Sequence, residues 1–332
     1  MKETSIEVPL VETANLADHA ADTNGPGLGD AWTGRGGHRR RSRESAIRMI
    51  FLLTALFSIT ALGLILFFLF REGVPIFKVV SLKDFLLGRD WYPTDDPAAF
   101  GIFPLIVGSI AVITVSCIGA IPLAVLTAIF IAEIAGPRMK EFLKPVVELL
   151  ASLPSVVIGF IGMVVVAPFL QRTFDIPTGL NLLNASIMLA IMTIPTICSI
   201  SEDAMYAVPR ELREASLALG ATQWETIFRV VLPASLSGIA TAVILGISRA
   251  IGETMVVLMV AGGAAIVPTS LMDPVRPMPA SIAAEMGEAP FQSEHYHALF
   301  AIAIVLFLIT FAFNMIADQI SHKYKQVGSA TL

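Results

Sequence analysis

Apolar residues in this chain gather into long unbroken stretches separated by short polar intervals. A helix needs about 20 mostly apolar residues to cross the hydrocarbon of a bilayer. Six stretches meet that length: 47–70, 104–131, 146–170, 182–200, 234–260 and 298–320. Several are longer, which permits tilt without fixing an angle. The pattern predicts an all-α membrane protein whose six transmembrane helices occupy residues 47–325. Four polar intervals stand out. Residues 1–46 carry six glycines between positions 25 and 37 and almost no apolar periodicity. They predict a disordered tail, because little apolar area is there to offset ordering entropy. The interval 71–103 predicts a short interfacial helix and a turn. Residues 203–233 are polar and helix-prone. Residues 264–297 contain five prolines, which exclude a long helix but leave room for a short one over Ser281–Glu288.

Composition agrees with that class: 55% hydrophobic and 15% charged, against roughly 45–50% and 25% in soluble domains. The net charge of −5 says little, but the placement of cations says more. With the N-terminus in the cytoplasm, 15 of the 22 Lys and Arg fall on the cytoplasmic side and six on the other, leaving Arg249 inside a span. That bias follows the positive-inside rule and puts both termini and residues 209–233 in the cytoplasm. The arginine cluster over 39–43 reads as an orientation anchor beside anionic lipid. The first span is too long and too deep in the chain for a cleaved signal peptide, so it reads as a retained anchor.

Other chemistry is sparse. Cys117 and Cys198 fall within apolar spans and read as small core residues. The five histidines form no ligand set, and nothing in the charge pattern calls for nucleic acid. No GxxxxGK[ST] phosphate loop is present, so any ATP that drives this protein is hydrolysed by another chain.

Within the spans, Pro122, Pro154 and Pro195 free backbone groups that protein or a water-lined cavity must satisfy. After Pro154 and Ser155, Gly159 and Gly162 allow close helix approach. Two readings stay open there: kinked, tightly packed helices, or broken backbone bordering a substrate path. The run SRAIGETM, Ser248 to Met255, is the most informative point in the membrane. Arg249 and Glu253 are four apart, which on one helix gives them a common face. Charges at mid-membrane are costly and usually face a cavity or a partner. The pair reads either as a structural ion pair or as an anion site, flanked by Ser248 and Thr254. In the second reading the guanidinium fork suits a tetrahedral oxyanion. A neighbouring carboxylate then favours an anion that still carries a proton, as phosphate does near neutral pH and sulfate does not.

The segment PRELREASLALGATQWETIFRVVLP, residues 209–233, leaves an apolar span and turns back into the next. Glu214-Ala215-Ser216 is followed by Gly220 and then by Val230-x-Leu232-Pro233. This resembles the EAA signature of ABC-importer permeases. Ser216 stands in place of the second Ala and Val230 in place of Ile, both mild swaps. Gly220 is expected to end the helix and Pro233 to open the next span as a first-turn proline. RAIGETM with VVLMVAGG, together with GRDWYPTDDPAAFGIFPLIVGS, ELLASLPSVVIGF and AAEMGEA, is similar to the PstC type of phosphate ABC-transporter permease over residues 47–325. The resemblance implies the MetI-like permease architecture with a cytoplasmic EAA coupling helix, in a bacterial inner membrane. It implies a second permease of PstA type, a PstB-type ATPase dimer that holds ATP and Mg, and a PstS-type phosphate-binding protein. A PhoU-like regulator is a candidate associate of the inner face. The chain itself would hold no cofactor or metal and catalyse nothing. Alternatives are a permease for phosphonate, molybdate or sulfate, or a secondary anion transporter, which would have no use for the EAA-like segment. The outer loops read either as simple connections or as partner contacts.

The tail reading is directly testable. Deleting residues 1–38 while keeping the arginines at 39–43 should leave insertion and whole-cell uptake unchanged. A correctly inserted deletion that no longer transports would contradict it.

Overall fold

The computed structural model describes the backbone of residues 37–330 and the side chains of residues 47–319. The tail over 1–36 lies outside the described residues. Helix α1, Gly37–Gly73, takes in residues 37–46, which composition had assigned to the tail. Its side chains from Ile47 to Ile65 are almost all exposed, as suits an apolar helix clothed by lipid.

The unit from Leu66 onward is built as follows. A short 3-10 turn over Val74–Lys78 and helix α2 (Leu82–Leu87) lead into a two-stranded hairpin, β1 (Trp91–Tyr92) and β2 (Ala99–Phe100). Then come α3 (Phe103–Ile129), α4 (Pro137–Ser152), α5 (Ser155–Ile161), α6 (Ala167–Phe174) and α7 (Leu182–Tyr206). Helices α8 (Arg210–Ala218), α9 (Gln223–Thr226), α10 (Leu232–Ile251) and α11 (Met255–Val260) follow, and α12 (Met278–Glu285) and α13 (Glu294–Ala330) close the chain.

Six helical runs are long and apolar enough to cross a membrane: Ile47–Lys78, Phe103–Ile134, Ser155–Phe174, Leu182–Tyr206, Gln223–Ile251 and Glu294–Gln319. The number agrees with the hydropathy pattern; two of the boundaries do not. The third span does not begin near residue 146. Helix α4 ends at Ser152, and Pro154 is the N-cap of α5, so this proline opens the span instead of interrupting it. A proline lacks only an N–H that a helix start leaves unpaired in any case. The apolar positions of α4 are one face of a separate helix: Leu143 and Val147 pack inward while none of its residues is fully buried. The fifth span is displaced too. Its helix starts at Gln223, capped by Thr222 and Glu225, and stops at Ile251. The polar interval therefore shrinks from 203–233 to 207–222. Pro233 is not a first-turn residue of the whole span, because a π turn over Ile227–Val231 joins α9 to α10 ahead of it.

Helices α3 and α7 form the centre. Ala120, Ala124 and Ala128 on α3 and Ala185 and Ile197 on α7 are fully buried. Small side chains let backbones approach where lipid supplies no hydrophobic drive for association. Polar groups reinforce the seams. Asn184 on α7 donates from Nδ2 to the carbonyls of Gly162 (3.1 Å) and Gly179 (2.9 Å). Gly162 opens a π turn over 162–166, and a Cβ there would stand 2.7 Å from both Met188 and Val260. Gly159 is equally tight, 2.9 Å from Met259 Sδ. The close approach read from these two glycines is thus realised between α5, α7 and α11.

One end of this unit is capped by the hairpin, residues 261–277 and α12. Glu285 is its hub. It accepts from Trp91 Nε1 (3.1 Å) and Arg276 Nη1 (2.6 Å) and bonds His295 Nε2 (2.8 Å). Arg276 Nε also donates to Gly263 O at 2.6 Å. In the same loop the backbone N–H groups of Thr269 and then Ser270 hold the Asp273 carboxyl below the usual carboxylate range. The short helix expected over 281–288 is present as α12, three residues earlier at each end. At the opposite end Lys144 on α4 meets Glu202 and Asp203 of α7, each at 3.3 Å. Desolvation works against its charge, but Glu202 and then Asp203 hold the ammonium above its ordinary pKa.

The Gly162 contact predicts that Gly162→Val overfills the α5–α7–α11 seam. Overpacking of this kind costs about 1–3 kcal/mol. Thermal unfolding of the purified full chain in detergent should shift down, and an unchanged midpoint would contradict the tight seam.

Candidate functional site

The fifth membrane-crossing run breaks off at the end of α10. It ends at Ile251, Gly252 and Glu253 leave the helix, and α11 restarts at Met255. Arg249 is in the last turn of α10. Glu253 lies beyond the helix end, so the two residues do not share a helical face, contrary to the spacing argument. Each is satisfied separately. The Arg249 guanidinium donates from Nη1 to Thr196 Oγ1 at 3.2 Å, near the middle of α7 and next to Pro195. Among the described residues no carboxylate lies within ion-pair distance of Arg249, which rules out the simple Arg249–Glu253 bridge. Glu253 Oε1 instead accepts the Val256 N–H at 3.1 Å and caps the start of α11.

Electrostatics explains the arrangement. A helix C-terminus carries partial negative charge and favours a cation, and an N-terminus favours an anion. The break presents the C-terminal end of α10 to Arg249 and the N-terminal end of α11 to Glu253. Arg249 is exposed and Glu253 half-buried. Most of the guanidinium's five N–H donors remain available to a ligand after the single bond to Thr196. Ser248 Oγ crosses to Asn314 Oδ1 on α13 at 2.7 Å, tying the same turn to the last span. Thr254 Oγ1 makes only a long 3.4 Å contact with Gly252 O.

Pro154 and Ser155 sit apart from these groups at the start of α5 and share no hydrogen bond with them. Their link is indirect: α5 packs on α11 through Ile158 and Gly159. Thr196 and Asn314 escaped the sequence reading. Neither belongs to a recognisable local motif, and each reaches Arg249 or Ser248 only through helix packing.

The second cluster is the segment between α7 and the fifth span. Helix α8 carries Glu214, Ala215 and Ser216. Gly220 follows it with φ +87, a left-handed conformation that glycine adopts at no steric cost. Ser216 Oγ meets Thr226 Oγ1 at 2.9 Å and closes the turn onto α9. Arg213 Nη2 reaches Glu133 at 2.9 Å and Met205 O at 2.7 Å, and Gln223 Nε2 reaches Glu133 O at 3.1 Å. The segment is therefore braced through Glu133 against the π turn, Phe130–Ile134, that follows α3. Its outer surface is free: Glu214 and Ala215 are exposed, Leu219 is 90% exposed, and Trp224 stacks on Phe228. An exposed apolar tip with a rigid base is the form of a docking surface. Glu133, which anchors it, was missed because it lies 80 residues before its partner.

Comparison with known proteins places this arrangement. The family described as binding-protein-dependent transport system inner membrane component matches residues 120–326, which include both clusters. A Bacillus subtilis protein named probable ABC transporter permease protein YqgH is 41% identical over 86% of this chain and 93% of its own length. A phosphate transport system permease protein PstC from Mesorhizobium japonicum is 34% identical over 84% of this chain and 93% of its own. Among solved structures, a bacterial ABC transporter that imports alginate aligns with a TM-score of 0.57 over 85% of this chain and 99% of that one, at 15% identity. The inward-facing MetNI methionine transporter aligns at 0.51 over 68% and 94%, at 19% identity. These two carry the fold. The six membrane-crossing helices, the braced polar segment and the family match together make this chain a multi-pass inner-membrane protein that belongs to the binding-protein-dependent transport system inner membrane components, the ABC-transporter permeases.

Proposed function

We propose that this chain is the translocation subunit of an ATP-driven importer of inorganic phosphate. The observation that carries the substrate assignment is Arg249: a guanidinium in the last turn of the fifth span, at a helix break, bonded to Thr196 and, among the described residues, to no carboxylate. Such a group offers a planar set of donors to a tetrahedral oxyanion. The likeness to permeases named for phosphate transport, 31–34% identical with broad coverage, supports the same anion.

Glu253 has two oxygens and two tasks in this reading. Oε1 holds the start of α11. The second oxygen accepts the P–OH of a protonated phosphate and leaves sulfate facing an unpaired acceptor. Thr254 and Ser248 line the same break. Pro154 and Ser155 begin the helix that packs behind α11 and would move with it.

Segment 207–222 with Glu214, Ala215, Ser216 and Gly220 faces the cytoplasm in this reading and docks a PstB-type ATPase dimer, which supplies bound ATP and Mg. Pro233 stiffens the helix through which the docked segment reaches the membrane. A PstA-type second permease completes the path. A PstS-type binding protein delivers phosphate to the end capped by Glu285, and both chain termini lie in the cytoplasm.

Coupling gives one test. Glu214→Lys changes the exposed face of α8, and Gly220→Val forces a β-branched residue to positive φ, at about 1–2 kcal/mol. Both variants should insert normally yet lose whole-cell phosphate uptake and co-purification of the ATPase. Normal uptake in both would end the docking claim.

The anion contact gives another. Arg249→Gln removes charge-assisted hydrogen bonds worth roughly 1.5–3 kcal/mol. Uptake per folded permease should fall about tenfold or more, since ~1.4 kcal/mol is one decade. Glu253→Gln keeps an oxygen for the Val256 N–H while losing charge, so it should fold and discriminate less between phosphate and sulfate. Glu253→Ala should also lose folded protein. Wild-type uptake in the Arg249→Gln/Glu253→Gln double variant would exclude an anion role for the pair.

A further inference from the structure

At the same end as α8, and far in sequence from Arg249, three cations surround one cavity. Its volume is about 310 Å³, and its walls are Ala132, Lys140, Tyr206, Arg210 and Arg213. Lys140 enters from α4, Tyr206 from the last turn of α7, and the two arginines from consecutive turns of α8. Like charges gathered this closely repel unless something negative joins them. Among the described residues only one carboxylate is bonded to the set: Glu133, on Arg213 Nη2 at 2.9 Å. Lys140 Nζ rests on Ala132 O at 2.6 Å and lies 5.0 Å over the Tyr206 ring. Arg210 has no ion pair or side-chain hydrogen bond among the described residues.

Two further features favour an anion. Arg213 makes its hydrogen bonds through Nη2 alone, and its side chain is 22% exposed, so among the described residues Nη1 has no partner. In addition, α8 begins at the cavity wall with Pro209 as its N-cap and no side chain capping it. Its first-turn N–H groups and the positive end of its dipole therefore add to the cationic field.

We infer that this cavity binds a phosphate-class oxyanion, distinct from any anion in transit at Arg249. The guanidinium forks give bidentate contacts, Lys140 a point charge, and α8 its unpaired backbone donors. The same chemistry recognises free inorganic phosphate and the phosphate of an anionic lipid headgroup. Arg213 also braces α8 on Glu133, so an occupant shares that guanidinium and biases how firmly the segment is held. That regulatory consequence rests on the docking role of α8; the binding does not.

The test uses the full chain in nanodiscs and reads binding, not transport. In phosphatidylcholine discs, inorganic phosphate should slow hydrogen exchange of the amides of Arg210–Arg213. Lys140→Gln/Arg210→Gln should raise the phosphate concentration needed by about tenfold or more, as expected for the loss of one decade of affinity. Lys140→Arg/Arg210→Lys should keep it, which separates lost charge from lost fold. Protection of the same amides by phosphatidylglycerol discs without added phosphate, and its loss in the Gln pair, would identify the headgroup as the source and uphold the site. Two outcomes overturn it: phosphate protection unchanged in the Gln pair, or no protection by either phosphate or phosphatidylglycerol. In the second case, loss of ATPase co-purification in the Gln pair would assign the cations to a protein carboxylate instead.

Discussion

A backbone that crosses lipid must satisfy every N–H and C=O from within the protein. Most features of this chain answer that constraint. It makes the spans helical, and it limits each departure from the helix to places where other groups intervene. The π turn at Gly162–Val166 is met by Asn184, which donates to the Gly162 carbonyl. The π turn at Ile227–Val231 precedes Pro233, where a donor is missing. The full break at Gly252–Thr254 is closed by the Glu253 carboxylate on the Val256 N–H. Broken helices expose partially charged helix ends, and these attract residues of opposite sign. Arg249 and Glu253 are thus better explained by two helix termini than by each other.

Charge is distributed unevenly between the two ends of the unit from Leu66. At one end a single carboxylate, Glu285, gathers Trp91 of β1, Arg276 of the 261–277 loop and His295 of α13. With its side chain 14% exposed, it ties the hairpin, the 261–277 loop and α13 to α12. At the other end four cations, Lys140, Lys144, Arg210 and Arg213, share three bonded carboxylates, Glu133, Glu202 and Asp203, among the described residues. Its paired members stitch α4 to α7 and α8 to the π turn that follows α3. The bracing fixes the segment mechanically. A helix held only by its two chain ends would absorb a push, whereas one fixed through Arg213, Gln223 and Ser216 passes it to the spans.

The route from that segment to the candidate anion contact is one continuous helical run. From Gln223 the helical run continues through the π turn and α10 to Arg249. Along it, α10 packs on α7, which carries Thr196, and Ser248 bonds Asn314 on α13. A shift of segment 207–222 would therefore act on both partners of the break.

Much was legible in the sequence. Apolar runs longer than 20 residues have few physical alternatives to spanning helices, so their number was readable without a structure. Gly220 at positive φ, the tight approaches at Gly159 and Gly162, and α12 near Ser281 also followed from residue type, because each rests on local sterics. What hydropathy could not decide was where a helix stops. Residues 146–152 are apolar enough to join the third span, yet Pro154 starts a new helix and α4 lies apart. Residues 223–233 are polar enough to look like a loop, yet the Thr222–Glu225 capping box makes them the start of the fifth span. The Arg249–Glu253 spacing likewise assumed a helix that ends two residues too early. The bonds of Arg213 to Glu133 and Arg249 to Thr196 were invisible for a different reason. They join residues 80 and 53 positions apart, and only helix packing, which averages no local signal into the chain, brings them together.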